Sequence, residues 1–232
     1  MDLLQRGFAS EYRAAVAANP SGKGIKIGRL YLPGTAPMIN EAVDAALTKA
    51  GFQVVPLDDS FRAAWAQAAA DANTIVAAWA WISDRQFTSN LQVSARTKSI
   101  IALGQFEYDS NYKKALARRS AWKAALARVL KDVDFIALPT MQNLPPIAPL
   151  LGGTALFEAY VLGIQNTSPV DFAGNPALAI PVPVKDRSVP VTSLQLVGPR
   201  FSEARLLSAG RLVEAMHSGG SVPAAAKTSR VE

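Results

Sequence analysis

The sequence lacks cysteine entirely and contains a single histidine, His217, in 232 residues. The absence of cysteine excludes disulfide bonds, thiolate catalysis and metal sites with sulfur ligands. A single histidine excludes a metal site built from several imidazoles, and a serine–histidine triad would have to use His217. We expect His217 to be a surface or capping residue, because it lies near the end of the last predicted helix. No metal site and no cysteine or histidine chemistry is therefore predicted.

Long apolar runs and nucleotide-binding loops are also missing. No uninterrupted apolar run approaches about 18 residues, so no transmembrane helix and no membrane partner are predicted. The first 20 residues carry acids and lack the basic start of a signal peptide, which favours a cytoplasmic protein. The glycines at 22–24 and 152–153 lack the spacing of nucleotide fingerprints, and a Gly-x-Ser-x-Gly elbow is absent. We therefore expect no cofactor.

Positive charge is in excess, with a formal net charge of +6. Part of it lies in the stretch "YKKALARRSAWKAALARVLK", residues 112–131. These basic residues alternate with an alanine and leucine stripe at helical spacing, which is typical of a solvated helix face. A nucleic-acid footprint is the other interpretation of such a stretch. We favour the helix face and expect no nucleic-acid partner.

The order of predicted elements indicates one α/β domain. Two helices (residues 2–18 and 38–49) alternate with two strands (25–32 and 52–57), and Gly51 ends the second helix. This strand–helix–strand unit predicts parallel pairing. A helical block follows over 60–130, with a long helix beginning near Asp109–Ser110. Short apolar strands at 133–140, 177–182 and 191–197 then predict central, fully covered strands, and Ser202 caps a last helix.

The predicted fold is thus a mixed sheet of about five strands flanked by helices. We assign residues 1–220 to this single domain and residues 221–232 to a flexible tail.

Several polar residues could carry chemistry, but each has a structural explanation. Asp58 and Asp59 precede a helix, and Asp132 and Asp134 flank the start of a strand, so capping and turn roles account for them. Lys185 lies in a charged turn, where it would stay solvated and protonated rather than activate a serine. The residues alone therefore predict no catalytic centre and favour a binding or structural module.

The most specific pattern follows residue 168. The stretches "PVDFAGNPALAIPVPV" (169–184) and "VPVTSLQLVGPRFSEARLL" (189–207) resemble the C-terminal hallmark of the amidase signature family. Upstream, "IKIGRLYLPG" (25–34), "NYKKALARR" (111–119) and "VDFIALPTMQNLPPIAP" (133–149) resemble that family's segments in the same order. The residues that fit the hallmark are Gly174, Pro176, Ala177, Pro181, Pro190, Leu194, Gln195, Val197, Gly198, Phe201, Glu203, Leu206 and Leu207.

Two residues depart from the family pattern, and one segment is not found. Asp171 stands where asparagine is usual, and an ionised carboxylate only accepts hydrogen bonds. Ser193 replaces a glycine, which we expect to be benign. The Gly/Ser-rich segment that holds the family's Ser, cis-Ser, Lys triad is not present, so no catalytic residue is carried over. The resemblance therefore implies the C-terminal half of an amidase fold.

The resemblance also implies a function for the complete enzyme, namely hydrolysis of a small-molecule carboxamide through an acyl-serine intermediate. The chain would supply scaffold and pocket walls, and the expected substrate-facing residues are Thr140, Met141, Asp171, Gly174 and Asn175. Unpaired sheet edges predict a partner, either a separate N-terminal catalytic half or a second copy in a homodimer. The alternatives are a non-catalytic binding module built on the amidase scaffold and, from the charge alone, an RNA-associated piece.

Overall fold

The computed structural model describes residues 8–144, 163, 165–185 and 190–217. They form two compact units, which we describe separately. The first comprises the described parts of Met1–Leu57, Val129–Leu144 and Asn175–Glu232, and the second those of Asp58–Arg128 and Pro145–Gly174. The single domain over residues 1–220 stays a prediction, and the predicted tail lies outside the described residues. In the described ranges, no helix combines the length and apolarity needed to cross a membrane.

The first unit is built on a mixed five-stranded sheet. Its strands are β1 (Lys26–Arg29), β2 (Gln53–Pro56), β3 (Phe135–Pro139), β4 (Ala177–Pro183) and β5 (Val191–Val197), in the spatial order β2-β1-β3-β5-β4. β1 runs parallel to β2 and β3, whereas β5 runs antiparallel to β3 and β4. The predicted mixed sheet and its parallel crossover are therefore confirmed. Three helices belong to this unit: α1 (Phe8–Ala18), α2 (Pro37–Lys49) and α7 (Glu203–His217).

β4 departs from the prediction of a central, fully covered strand. It lies at one edge of the sheet, and its exposure alternates, with Ile180 and Val182 buried but Pro181 and Pro183 exposed. The prediction was wrong because an antiparallel edge strand needs cover on one face only, and its outward residues are small or proline. Ile180 and Val182 join the sheet-spanning core of this unit.

The backbone of β4 also has two unequal sides. The Val184 N–H donates to the Pro190 carbonyl at 3.0 Å, and the Pro176 carbonyl accepts from Gly198 at 2.9 Å, so even-numbered residues face β5. Backbone groups of the odd-numbered residues face the open edge, because successive residues of a strand point to opposite sides. Pro181 and Pro183 have no N–H to offer there, so only Ala177 and Ala179 can donate at this edge.

A buried arginine joins the sheet of the first unit to α2. Arg29 of β1 is fully buried, and its Nε, Nη2 and Nη1 donate at 2.7 Å each to Asp44 Oδ1, Asn40 Oδ1 and the Leu30 carbonyl. The guanidinium carbon also lies 4.2 Å from the centre of the Tyr31 ring. Burial, reinforced by the Asp44 charge, raises the pKa of Tyr31. The buried charge is therefore accommodated by a carboxylate, a side-chain amide oxygen and a backbone carbonyl.

The start of α7 contains the one described non-glycine residue with a left-handed backbone. Phe201 has φ of 62° and is 86% exposed. Ser202 occupies the predicted capping position, where its carbonyl accepts from the Leu206 N–H at 2.9 Å. Its hydroxyl, however, donates to the Pro199 carbonyl at 2.7 Å. The hydroxyl thus stabilises the turn before the helix.

The second unit is helical. Its helices are α3 (Asp59–Asp84), a 3-10 turn (Arg85–Phe87), α4 (Ala95–Ser110), α5 (Tyr112–Asp132, which belongs to this unit as far as Arg128) and α6 (Ser168–Ala173). The long helix predicted to begin near Asp109–Ser110 is present as α5, but the predicted cap at these two residues was wrong, because they end α4. Asn111 separates α4 from α5, and its N–H donates to the Glu107 carbonyl at 2.9 Å.

Aromatic packing and one ion pair hold α3 against α5. The Trp122 ring centre lies 5.7 Å from those of both Phe61 and Trp65. Arg118 of α5 donates from Nε and Nη2 to the carboxylate of Asp71, whose side chain is 4% exposed. This bidentate pair raises the pKa of Arg118. The helix pair therefore combines an apolar core with one specific charge contact.

The predicted structural roles of the aspartates are confirmed at two positions. Asp58 Oδ1 accepts from the Phe61 N–H at 2.8 Å and from the Ser60 hydroxyl at 2.7 Å, which caps α3. The Phe61 N–H, with help from Ser60, holds the pKa of Asp58 below its ordinary value. In the first unit, Asp134 accepts from the Lys26 N–H at 2.9 Å and from Arg205 at 2.6 Å.

The Asp58 cap predicts an acid-dependent loss of stability. A carboxylate whose pKa is lowered by folding stabilises the fold above its unfolded pKa, and this contribution disappears as the pH falls through the folded pKa. Asn caps helices as well as Asp but does not titrate. We expect the free energy of unfolding to fall less between about pH 7 and pH 3 in Asp58→Asn than in the wild type. Urea unfolding over this range measures it; identical pH profiles would contradict the prediction.

The Asp71–Arg118 pair predicts a large difference between two aspartates of α3. Asp71→Ala removes a buried acceptor of charge-assisted hydrogen bonds, so we expect the free energy of unfolding to fall by about 2 kcal/mol. Asp59 forms an exposed pair with Arg62 at 2.8 Å, so Asp59→Ala is the matched control, with an effect within about 0.5 kcal/mol. Chemical denaturation measures both, and equal effects would show that burial of Asp71 does not matter.

Candidate functional site

The five predicted pocket residues are divided between the two units. Thr140, Met141 and Asn175 belong to the first unit, whereas Asp171 and Gly174 belong to the second. Each group is described within its own unit.

Thr140 pairs with Ser193 in the first unit. The Thr140 N–H donates to the Ser193 carbonyl at 2.8 Å, and the two hydroxyl oxygens also lie 2.8 Å apart. A hydroxyl becomes a good nucleophile when a base takes its proton, and here each hydroxyl meets another hydroxyl. The arrangement therefore stabilises the end of β3. Ser193, expected only to replace a glycine harmlessly, thus forms a specific contact, and Met141 follows as a half-buried residue.

Asn175 has a structural contact at the start of β4. Its side-chain amide donates to the Gly198 carbonyl at 2.9 Å, beside the backbone bond from Gly198 to Pro176. A Cβ at Gly198 would lie 2.4 Å from Ser202 Oγ, so a larger residue here would displace that hydroxyl from its bond to Pro199. Asn175 therefore fixes the ends of β4 and β5 to each other.

Gly174 ends α6 in the second unit. Its φ of 76° lies in the left-handed region, and its N–H donates to the Val170 carbonyl at 2.9 Å. A glycine takes this conformation without steric cost, so Gly174 is suited to end the helix.

Asp171 lines a cleft in the second unit. The cleft has a volume of about 370 Å³ and lies among α3, α5 and α6. Its walls are formed by Ala72, Ile75, Val76, Trp79, Tyr112, Leu116, Arg119, Ser168, Asp171 and Phe172.

Two side chains of α5 hold α6 in place beside this cleft. Arg119 Nε donates to the Phe172 carbonyl at 2.7 Å, and its guanidinium carbon lies 5.8 Å from the centre of the Phe172 ring. Trp122 Nε1 donates to the Pro169 carbonyl at 2.8 Å. These bonds satisfy carbonyls of a six-residue helix too short to be stable alone. The position of Asp171 therefore depends on α5.

The chemistry of the cleft suits binding. Arg119 and Asp171 provide one group of each charge, and Tyr112 and Ser168 provide hydroxyls. Val76 and Trp79 supply an apolar wall and are 69% and 53% exposed. In the part of the chain that the structure describes, no group of three or more acidic, histidine or cysteine side chains could hold a metal ion. The cleft can thus bind an amphiphilic small molecule.

Of the residues predicted to face substrate, only Asp171 lies at this cleft. The segment 111–119 resembles a family segment, but no site role was predicted for Tyr112, Leu116 or Arg119. Tyr112, Leu116 and Arg119 are spaced by four and three residues, which puts them on one face of α5. This spacing is the sequence signal from which their shared position could have been predicted. Lys185, interpreted as a solvated turn residue, is indeed exposed.

Comparison with known proteins identifies the lineage. The profile of the family described as Amidase matches residues 8–207. A glutamyl-tRNA(Gln) amidotransferase subunit of Haloarcula marismortui is 37% identical over 111 residues, which cover 47% of this chain and 25% of that protein. The corresponding protein of Prosthecochloris aestuarii is 29% identical over 234 residues, which cover 87% of this chain and 48% of that protein. The chain thus spans half or less of these relatives' length.

A solved structure supports the same fold. It is described as an unexpected vestigial protein complex that reveals the evolutionary origins of an s-triazine catabolic enzyme. It superposes with a TM-score of 0.67 and 20% identity, and the match covers 84% of this chain and 44% of that one. The predicted family and its α/β fold are confirmed. The chain belongs to the amidase family.

Proposed function

We propose that this chain provides the scaffold and part of the substrate-pocket wall of an amidase whose catalytic serine lies on another polypeptide segment. The family match over residues 8–207 carries the proposal, because the chain spans only about half the length of the relatives it matches. The Thr140–Ser193 pair supports it, since within the described ranges the side-chain contact of each of these hydroxyls is the other hydroxyl and not a base.

The proposed reaction is hydrolysis of a carboxamide C–N bond. The serine oxygen of the other segment attacks the carbonyl carbon, the C–N bond breaks, and the amine leaves with a proton. Water then cleaves the acyl-serine ester, releases the carboxylate and restores the serine. This chain would hold the substrate while these steps occur, with the cleft beside Asp171 as a wall of the pocket.

The open edge of β4 supports docking of the other segment on the first unit. The N–H groups of Ala177 and Ala179 face this edge, where the described residues contribute no further strand, so an extended strand of the other segment can pair beside them. The prolines at 181 and 183 stop this pairing from continuing along the strand.

The second unit supports docking through exposed apolar side chains. Five large ones are between 53% and 96% exposed: Val76, Trp79, Leu91, Leu103 and Phe106. We propose that another chain covers those of them that form a continuous patch, because large contiguous apolar patches are typical of interaction sites. A second copy of this chain is the other candidate to cover it, as in the predicted homodimer.

Reconstitution tests the proposal. We expect the isolated chain to release no ammonia from benzamide or acetamide above a heat-inactivated control. If the DNA upstream of Met1 encodes a Gly/Ser-rich segment, co-expression of that segment should yield a complex with amide turnover. Substitution of its serines should abolish turnover while the complex still forms.

Two results would contradict the proposal. Turnover by the isolated chain would place the nucleophile within residues 1–232. A stable complex without turnover on any amide would favour the non-catalytic binding module. A homodimer without a second segment, measured by light scattering, would favour the second copy as partner.

Asp171 offers a test of the pocket wall in the reconstituted enzyme. Asp171→Asn keeps the shape but removes the charge, so we expect kcat/KM to change by about tenfold, equivalent to ~1.4 kcal/mol. Stability should change by less than about 0.5 kcal/mol, because Asp171 is exposed. Asp109→Asn, another exposed acid but outside the cleft, is the control and should leave kcat/KM unchanged. Equal values of kcat/KM in the two variants would contradict the assignment of Asp171 to the substrate pocket.

A further inference from the structure

Arg211 of α7 has an unusual hydrogen-bond deficit. Its Nε and Nη2 atoms are buried and find no hydrogen-bond partner among the residues that the structure describes. Buried donors in folded proteins are nearly always paired, because an unpaired one loses its hydration without compensation. Ser208 Oγ, one turn earlier on α7, is also buried and unpaired. This stretch of α7 therefore contains three buried polar atoms, on Ser208 and Arg211, that have no hydrogen-bond partner among the described residues.

The same arginine lines a cavity of the first unit. The cavity has a volume of about 220 Å³, enough for a small organic molecule, and lies among α1, β4 and α7. Besides Arg211, it is lined by Phe8, Tyr12, Leu178, Leu207, Gly210 and Glu214. A Cβ at Gly210 would lie 2.3 Å from Leu178 Cδ2, so this glycine lets β4 approach α7 closely.

We propose that Arg211 forms a binding site for a carboxylate in this cavity. Nε and Nη2 lie on one edge of the planar guanidinium, and this edge matches the two oxygens of a carboxylate in a bidentate pair. In the structure both atoms are inaccessible to solvent, so binding requires a rotation about the last bonds of the side chain that turns this edge toward the cavity lined by Arg211. The carboxylate then supplies both missing acceptors at once.

The other wall residues define the class of ligand. Phe8, Tyr12 and Leu207 offer rings and a methyl-bearing side chain to an apolar body. Glu214 carries a negative charge at the same cavity and already has an interaction of its own. A second negative charge on the ligand would be repelled there. The site therefore favours a monocarboxylate with an aryl or alkyl body.

The residues that line this cavity differ from those predicted to face the amide substrate. None of Thr140, Met141, Asp171, Gly174 and Asn175 lines the cavity. The site goes beyond the proposed function, and its occupancy can be measured by binding alone, without turnover.

Isothermal titration of the full chain with benzoate tests the site. Benzamide is the matched neutral probe, with the same ring and nearly the same shape, and phthalate adds a second carboxylate. We expect benzoate to bind and to raise Tm, with benzamide and phthalate each at least about tenfold weaker. Arg211→Lys keeps the charge but loses the bidentate edge, so benzoate should bind about tenfold more weakly. Arg205→Lys, on the same helix but outside the cavity, should bind benzoate like the wild type.

Several results would overturn the site: no benzoate binding, equal binding of benzoate and benzamide, or wild-type affinity in Arg211→Lys. If Arg211→Lys fails to fold by circular dichroism, the comparison of benzoate with benzamide on the wild-type chain decides alone. Benzoate binding to the co-expressed complex shows whether the natural carboxylate belongs to the other segment or to a free ligand. A carboxylate borne by the other segment blocks benzoate there, whereas a free ligand leaves the site open to benzoate.

Discussion

The buried guanidinium of Arg29 is the constraint on which the first unit depends. Arg29 on the inner strand β1 is fully buried, so its charge is not solvated directly. A buried charge is tolerated only with a full set of partners, because its desolvation is otherwise uncompensated. Asp44 and Asn40 are one turn apart on α2, and both accept from Arg29. The position of α2 on the sheet is therefore specified by hydrogen bonds as well as by apolar packing.

The polar groups that the resemblance pointed to are largely engaged in structure. Thr140 bonds to Ser193, and Asn175 bonds to Gly198, so both side chains join ends of strands. In the second unit, Arg119 and Trp122 fix α6 and leave Asp171 exposed beside the cleft. These contacts fit the proposed function, in which substrate binding and bond cleavage lie on different segments.

Much of the fold follows from local patterns in the sequence, but the cleft does not. The parallel unit of β1, α2 and β2 was predictable because its periodicities are local, and the Asp58 cap needs only three residues. β4 was placed wrongly, because an apolar run with small outward residues looks the same at an edge and at the centre. The cleft walls come from α3, α5 and α6, which are far apart in sequence, and only the spacing along α5 was visible. The lack of hydrogen-bond partners for Arg211 among the described residues results from tertiary packing, which cannot be read from a sequence pattern.

Phe201 combines a left-handed backbone with an 86% exposed ring. A residue with a Cβ stores about 1 kcal/mol or more in that conformation, and glycine or asparagine avoids most of it. The ring contacts the neighbouring Arg200 at 5.5 Å but contributes nothing to a core. Thermostability screening of random variants of the isolated chain would therefore enrich replacements at position 201 early. Such variants would be easier to purify and crystallise, and they would lack the aromatic group that the natural chain presents to its surroundings.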